Sequence, residues 1–331
     1  MVAAILGPTA TGKSRIALEI APSLGAEIVS VDSMQVYSGM DIGTAKPDPG
    51  ARRLVPHHML DVVDAATDFS VAQFQRQARK AVEDILSRGR IALLVGGTGL
   101  YFEAVVNEVV FPPGSGDDDL RKRLQREFET DQHAFKERLA RVDPAFAAGE
   151  GYANPRRVVR AMEVYERTGM PFSVFQDRRE AQAPHYHHCG VVLDAPRQAL
   201  YRAIEKRVDE MFESGLVHEV RELAQGSGLS RTARQGLGYK EVLAYLDSGI
   251  SLEDTINNIN RRSRNYAKRQ LTWFRRIPGL CWMELDEDDL SGPSPRIVGE
   301  IRDYLRGELR DGGRAGRQGL GTPPGGSGRM I

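Results

Sequence analysis

Cysteine is nearly missing from this chain: Cys189 and Cys281 are the only two in 331 residues. A scaffold stapled by disulfides is thereby excluded, and a reducing cytoplasm is the compartment that fits. Long apolar runs are missing as well, since none approaches the ~18 residues a membrane span needs, so no membrane partner is expected. Met1 to Leu6 is apolar but too short, and too soon interrupted by Gly7 and Pro8, for a signal peptide. Net charge is absent too, with 45 basic and 45 acidic residues. What is present is ordinary globular material: 41% hydrophobic and 27% charged residues, enough for one large or two modest domains.

A neutral total can hide segregation. From Thr255 to Arg276 there are seven basic residues (Arg261, Arg262, Arg264, Lys268, Arg269, Arg275, Arg276) and no acidic one. Acids gather elsewhere, at Asp117 to Asp119 and Asp286 to Asp289. Such a strip is compatible with a phosphate-rich partner docking on one face.

The first hundred residues alternate between strand and helix patterns. Val2 to Leu6, Glu27 to Val31 and Ile91 to Val95 are apolar runs of strand length. Between them Ile16, Ala17, Ile20, Ala21 and Leu24 recur at helical spacing, as do Val71, Phe74, Ala78, Val82 and Ile85. Alternation of this kind predicts an α/β fold, a parallel sheet flanked by helices. After Phe111-Pro112-Pro113-Gly114 the pattern turns helical until about His188, with Asn154-Pro155 opening one helix and Gly169 closing it. Gly190 to Leu193 reads as a strand returning to the sheet. The expected domains are therefore a core of 1–112 plus 190–308, ending in C-terminal helices, and an all-helical insertion at 113–189. The tail, 309–331, is rich in Gly, Arg and Pro and is expected to be disordered.

Gly7-Pro8-Thr9-Ala10-Thr11-Gly12-Lys13-Ser14 matches G-x4-G-K-[ST], and it stands between an apolar strand and an amphipathic helix. Glycines let the backbone wrap an anion, so successive N–H groups and the helix N-terminus point at phosphate oxygens. Lys13 adds a positive charge, and the Ser14 hydroxyl is a candidate ligand for Mg²⁺. With the alternation of strands and helices, the motif makes a P-loop NTPase-like parallel sheet the expected core, and it indicates a di- or triphosphate without naming a reaction.

Asp32 follows the second strand, at the sheet edge where ligands gather. It reads either as a general base or as an N-cap or partner to magnesium. Gly96-Gly97-Thr98-Gly99 follows the third strand and reads either as a close approach to a ligand, with Thr98 offering a hydroxyl, or as a plain strand-to-helix turn.

The block Asp32-Ser33-Met34-Gln35-Val36-Tyr37-Ser38-Gly39-Met40-Asp41-Ile42-Gly43-Thr44-Ala45-Lys46-Pro47 resembles the most characteristic segment of the tRNA dimethylallyltransferases, the IPP transferase family, of bacterial type. Gly96 to Tyr101, Asn154 to Thr168, Gln235 to Glu241 and Ala267 to Arg275 are similar to further segments of that family, in its order, up to about residue 285. The resemblance implies a reaction in which dimethylallyl diphosphate alkylates N6 of adenine 37 in the tRNA anticodon loop, releasing diphosphate. The glycine loop would then hold a leaving group, aimed where negative charge develops. By the same resemblance Asp32 is the general base and Thr98 helps orient the reactants. Arg207 contacts the diphosphate, as a guanidinium fork suits.

The resemblance also assigns tRNA contacts: Asp32, Ser33, Met34, Gln35 and Thr98; Arg156, Arg157, Val158, Val159 and Arg160; and Gln235, Gly236, Leu237, Gly238, Tyr239 and Lys240. Arg156, Arg157 and Arg160 fall within about one helical turn, so all three are expected to face one RNA backbone. Taken alone, such a trio is more often a solvated helix face. Trp273 and Phe274 read as core anchors rather than stacking platforms, and Tyr37 and Tyr101 are open to both readings. His185, His187, His188 and Cys189 lack separated ligand pairs, so zinc is not expected. A monomer is expected. The competing readings are a P-loop kinase of a small metabolite, an adenylate isopentenyltransferase and a non-catalytic RNA-binding protein.

Overall fold

The computed structural model describes residues 1–112, 118–180 and 183–310. Contacts divide the chain into two units. One comprises Met1–Phe69, Gln73–Val106 and the chain from Tyr186 onward; the other comprises Ser70–Ala72 and Asn107–His185.

The first unit is built on a six-stranded sheet. Its strands are β1 (Val2–Leu6), β2 (Ala26–Ser30), β3 (His57–His58), β4 (Ile91–Gly96), β5 (His188–Asp194) and β6 (Leu280–Glu284). They lie in the order β3-β2-β4-β1-β5-β6, and every pairing is parallel. Parallel neighbours need crossovers, and the sequence supplies helices for them. These are α1 (Lys13–Leu24), α2 (Val71–Ser87), α3 (Gly99–Val106), α4 (Arg197–Glu213), α5 (Leu216–Gln225), α6 (Tyr239–Ser248) and α7 (Leu252–Phe274), while α8 (Pro295–Arg310) follows the last strand. β1 is buried at all five residues, as expected of a strand covered on both faces, and alternation is accordingly missing from its sequence.

β5 begins two residues before the expected strand, because His188 and Cys189 pair with Val2 and Ala3. The sheet thus takes residues that the 113–189 insertion had claimed. β6 was not foreseen. Its side chains are half-buried, so neither alternation nor a solid apolar run marks it. α8 was also missed. It buries Ile297, Ile301 and Leu305 against the core, and Leu309 packs beside them, so order continues past the expected start of the tail at 309. Residues 311–331, the rest of that tail, lie outside the described residues, as do 113–117 at the expected insertion boundary.

The second unit is helical. Asp118–Thr130, Gln132–Val142 and Pro155–Thr168 surround a core of Leu124, Phe128, Phe135, Leu139, Phe146, Val158, Val159 and Met162. Asn154 caps the third helix by accepting from the Arg156 N–H at 3.0 Å, Pro155 occupies its first turn, and left-handed Gly169 ends it.

Among the described residues no helix is long and apolar enough to cross a membrane.

Candidate active site

The glycine loop turns the chain from the end of β1 into α1. Gly7 has φ 148°, and a Cβ there would stand 2.7 Å from the Leu193 carbonyl oxygen, so only glycine fits. Gly12 enters α1 at φ 71°, and Ala10 is left-handed at φ 65° without glycine's freedom, a strain of roughly 1–2 kcal/mol. The loop holds itself in this shape. The buried Thr11 hydroxyl donates to the Pro8 carbonyl at 2.9 Å, and the Lys13 ammonium donates to the same oxygen. Lys13 and Ser14 begin the helix, so their N–H groups have no intrahelical acceptor and face outward at its positive end. The sequence suggested that successive amides of the loop all face an anion, but the Thr9 N–H is taken, donating to Gln270 Oε1 at 3.0 Å.

Asp32 stands just beyond β2. The Val31 N–H donates to the Val95 carbonyl at 2.9 Å and the Thr98 N–H to the Val31 carbonyl at 3.2 Å, which ties the β2 and β4 ends together. Asp32 Oδ1 accepts from the N–H groups of Met34 at 2.8 Å and Gln35 at 3.3 Å. No helix follows, so this is an Asx-type turn that sets the carboxylate rather than a helix cap. Oδ2 has no hydrogen-bond partner among the described residues. Thr98 Oγ1 accepts from the Ser33 N–H at 3.3 Å, which puts its hydroxyl beside the same turn.

Lys13, Arg207 and Asp32 act on one another electrostatically. Burial, and next the like charge of Arg207, bring Lys13 down to about 7, against the pull of Asp32. Burial likewise lowers Arg207, opposed by Asp32 and Glu210. Two basic side chains thus lie within electrostatic reach of one another and of one carboxylate, an arrangement that favours a further anion. Arg207 also lines a cavity of about 560 Å³, together with Lys46, Arg52 and Met211.

Helix α7 supplies a wall that sequence reasoning missed. Tyr266, Gln270 and Trp273, spaced i, i+4 and i+7, share one face. Burial, and then the charge of Asp32, push the Tyr266 hydroxyl up to about 12, with nearby Thr98 pulling the other way. Gln270 Nε2 donates to the Gly97 carbonyl at 2.8 Å. A Cβ on Gly97 would lie 2.1 Å from Gln270 Nε2, and one on Gly99 would lie 2.2 Å from Trp273 Cδ1. These glycines therefore admit a helix rather than a ligand. The available signal was the buried stripe Ser263, Ala267 and Gln270, whose small and polar residues give little apolar periodicity.

The expected RNA contacts divide. The Gln35 side chain is used internally, accepting from Ser30 Oγ at 2.8 Å and donating to the Thr44 carbonyl at 3.2 Å. Tyr239 is fully buried; its hydroxyl donates to Glu219 Oε1 at 2.5 Å, and that carboxylate also accepts from the Ile42 N–H at 2.7 Å. Gly238 starts α6 at φ 91°, its N–H on Glu241. Gly236 packs near Met34. The exposed Gln235 and half-exposed Leu237 and Lys240 remain at the surface of this segment. Tyr37 and Tyr101 are buried, Tyr101 against Phe74 with ring centroids 4.0 Å apart.

In the helical unit Val158 and Val159 are fully buried core residues, so their side chains are not available to RNA. Arg156 and Arg157 are exposed, whereas Arg160 bridges to buried Glu163 at 3.1 Å. The three do not present one uniform face. The basic strip of α7 is similarly tempered, with Arg262 on Glu241 and Arg264 on Glu205, both at 2.5 Å.

Comparison with known proteins extends these observations. The family model described as IPP transferase matches residues 35–277, and one described as isopentenyl transferase matches residues 1–54. The tRNA dimethylallyltransferase of Moorella thermoacetica is 48% identical over 303 residues, covering 90% of this chain and 94% of its own. That of Pelotomaculum thermopropionicum is 45% identical over 283 residues, 85% of this chain and 90% of its own. Among solved structures, the tRNA isopentenylpyrophosphate transferase of Bacillus halodurans superposes with TM-score 0.67 at 38% identity, covering 94% and 97%. A eukaryotic dimethylallyltransferase acting on tRNA superposes with TM-score 0.77 at 28% identity, covering 94% and 79%.

Proposed function

The chain belongs to the IPP transferase family, and on that premise we propose that it transfers a dimethylallyl group from dimethylallyl diphosphate to N6 of adenine 37 in tRNA. The observation that carries this reading is the placement of Asp32, one oxygen fixed by the Met34 and Gln35 amides, within the field of Lys13 and Arg207 and beside Thr98.

The cationic side of that arrangement suits the donor. The helix start, Lys13 and Arg207 hold the diphosphate, and its negative charge grows as the allylic C–O bond breaks. The anionic side suits the acceptor. N6 forms the new bond to the allylic carbon, and its proton passes to Asp32 Oδ2 as diphosphate departs. An exocyclic amine is a weak nucleophile until that proton leaves, so a positioned carboxylate is what the step requires. Thr98, held by the Ser33 N–H, orients the reactants.

Ser14 fits Mg²⁺: its hydroxyl is exposed at the helix start without a protein partner among the described residues, a hard oxygen beside the diphosphate position. When bound, the ion would offset charge on the leaving group.

To reach Asp32 the adenine must leave its stack, which costs least in a single-stranded loop. Arg156 and Arg157 on the helical unit are proposed to hold the RNA backbone. The test is incubation of the purified protein with dimethylallyl diphosphate labelled in the allyl group and unmodified tRNA. Label should enter the RNA at one adenine. RNA left unlabelled, with ATP consumed on a small metabolite instead, would replace this reading with a kinase.

A further inference from the structure

The two halves of the pocket meet at one side chain. Gln270 Oε1 accepts from the Thr9 N–H at 3.0 Å, in the loop that holds the diphosphate. Its Nε2 donates to the Gly97 carbonyl at 2.8 Å, next to Thr98. Gln270 itself is buried, one helical turn from Tyr266 on the same face of α7. The amide uses one acceptor and one donor at once, pointing opposite ends at the donor-side and acceptor-side loops.

We propose that Gln270 is a positioning residue that holds the diphosphate loop and the Thr98 loop in catalytic register, so that the allylic carbon and N6 meet at bonding distance. The inference rests on the transferase reading above. Three points support it. The two loops are separated by almost ninety positions in sequence, and Gln270 is the side chain that hydrogen-bonds the backbone of both. A Cβ at Gly97 would collide with Nε2 at 2.1 Å, so the backbone there is shaped around this amide. Both partner groups are backbone atoms, whose loss of a buried partner shifts the loop and not just one side chain.

Two variants separate positioning from simple packing. Gln270→Leu keeps the volume and removes both bonds. Expected are a fall of about ten- to hundredfold in kcat/KM for dimethylallyl diphosphate and tRNA affinity within about twofold, because a small misplacement of reacting groups is expensive in rate. Gln270→Glu is the sharper variant. Ionised, it retains an acceptor for Thr9 but sets a carboxylate oxygen against the Gly97 carbonyl. Protonated, it reproduces both bonds, with its hydroxyl donating to Gly97. Its kcat/KM divided by that of the wild type should therefore rise toward one as pH falls through the glutamate's titration, the ratio cancelling the titration of the pocket's own groups. A merely structural role would lower Tm in both variants and leave that ratio flat with pH. A flat ratio, or wild-type kinetics in Gln270→Leu, overturns the proposal. Failure of the wild type itself to prenylate tRNA would instead overturn the transferase reading.

Discussion

Gly99 lies directly under Trp273: a Cβ built on Gly99 would come 2.2 Å from the indole Cδ1. The glycine at the start of α3 is thus the hole into which α7 inserts its largest side chain. Gly99→Ala must move the indole or the helix, and overpacking of this kind costs ~1–3 kcal/mol. Lower Tm and lower activity are expected, with partial recovery in the double variant Gly99→Ala/Trp273→Leu. A thermodynamic cycle on the two positions measures the coupling; strictly additive losses would show that they do not share this contact.

Asp32→Ala removes the proton acceptor and leaves the glycine loop and Arg207 in place. A fall in kcat of ~10²–10⁴-fold with little change in tRNA affinity is expected from single-turnover kinetics and filter binding. A large affinity loss at unchanged single-turnover rate would make Asp32 a binding residue.

Arg157→Ala should weaken tRNA binding and reduce the slope of log K against log salt by about one phosphate contact. Arg160→Ala should act differently, because Arg160 bridges to the fully buried Glu163. Its removal should lower Tm, leaving a buried carboxylate less well paired. Equal salt slopes for wild type and Arg157→Ala would remove that side chain from the RNA surface.

Glu27 provides a pH test of stability. Its carboxylate is 4% exposed, accepts from Arg88 at 2.9 Å and meets His58 at 2.8 Å. Arg88 chiefly, opposed by burial, brings Glu27 from 4.5 down to about 2. A pKa lower in the folded than in the unfolded chain stabilises the fold fully above about pH 4.5, and the contribution is lost as pH falls from there toward 2. Because Arg88 stands 44% exposed, the amount should be only on the order of 1–2 kcal/mol. Glu27→Gln should flatten Tm against pH across that window. An unchanged slope would show that other carboxylates carry the acid lability.

The main strands of the sheet and the glycine loop were legible because each carries a local signal. β1 and β4 are unbroken apolar runs, β2 is an apolar stretch broken only by Glu27 and Ser30, and the loop spacing from Gly7 to Ser14 lies within eight residues. β6 was not, since half-buried side chains leave no periodicity to read. The RNA-contact segments were legible as blocks but not residue by residue. Nothing local separates the core residues Val158 and Val159 from their exposed neighbours Arg156 and Arg157 as contact candidates, nor marks Tyr239 as fully buried. Burial is a property of the neighbours each side chain finds.

What the sequence by itself determined is whatever depends on adjacent residues: a parallel α/β sheet, an anion loop at a helix start, and a carboxylate and a hydroxyl at the ends of successive strands. Tertiary structure alone decided which of those groups face one another. Lys13 feels Arg207 from far along the chain, and Gln270 reaches back to Thr9 and Gly97. Such meetings follow from how a helix packs across strand ends, and packing is a long-range agreement of shapes that no stretch of sequence encodes on its own.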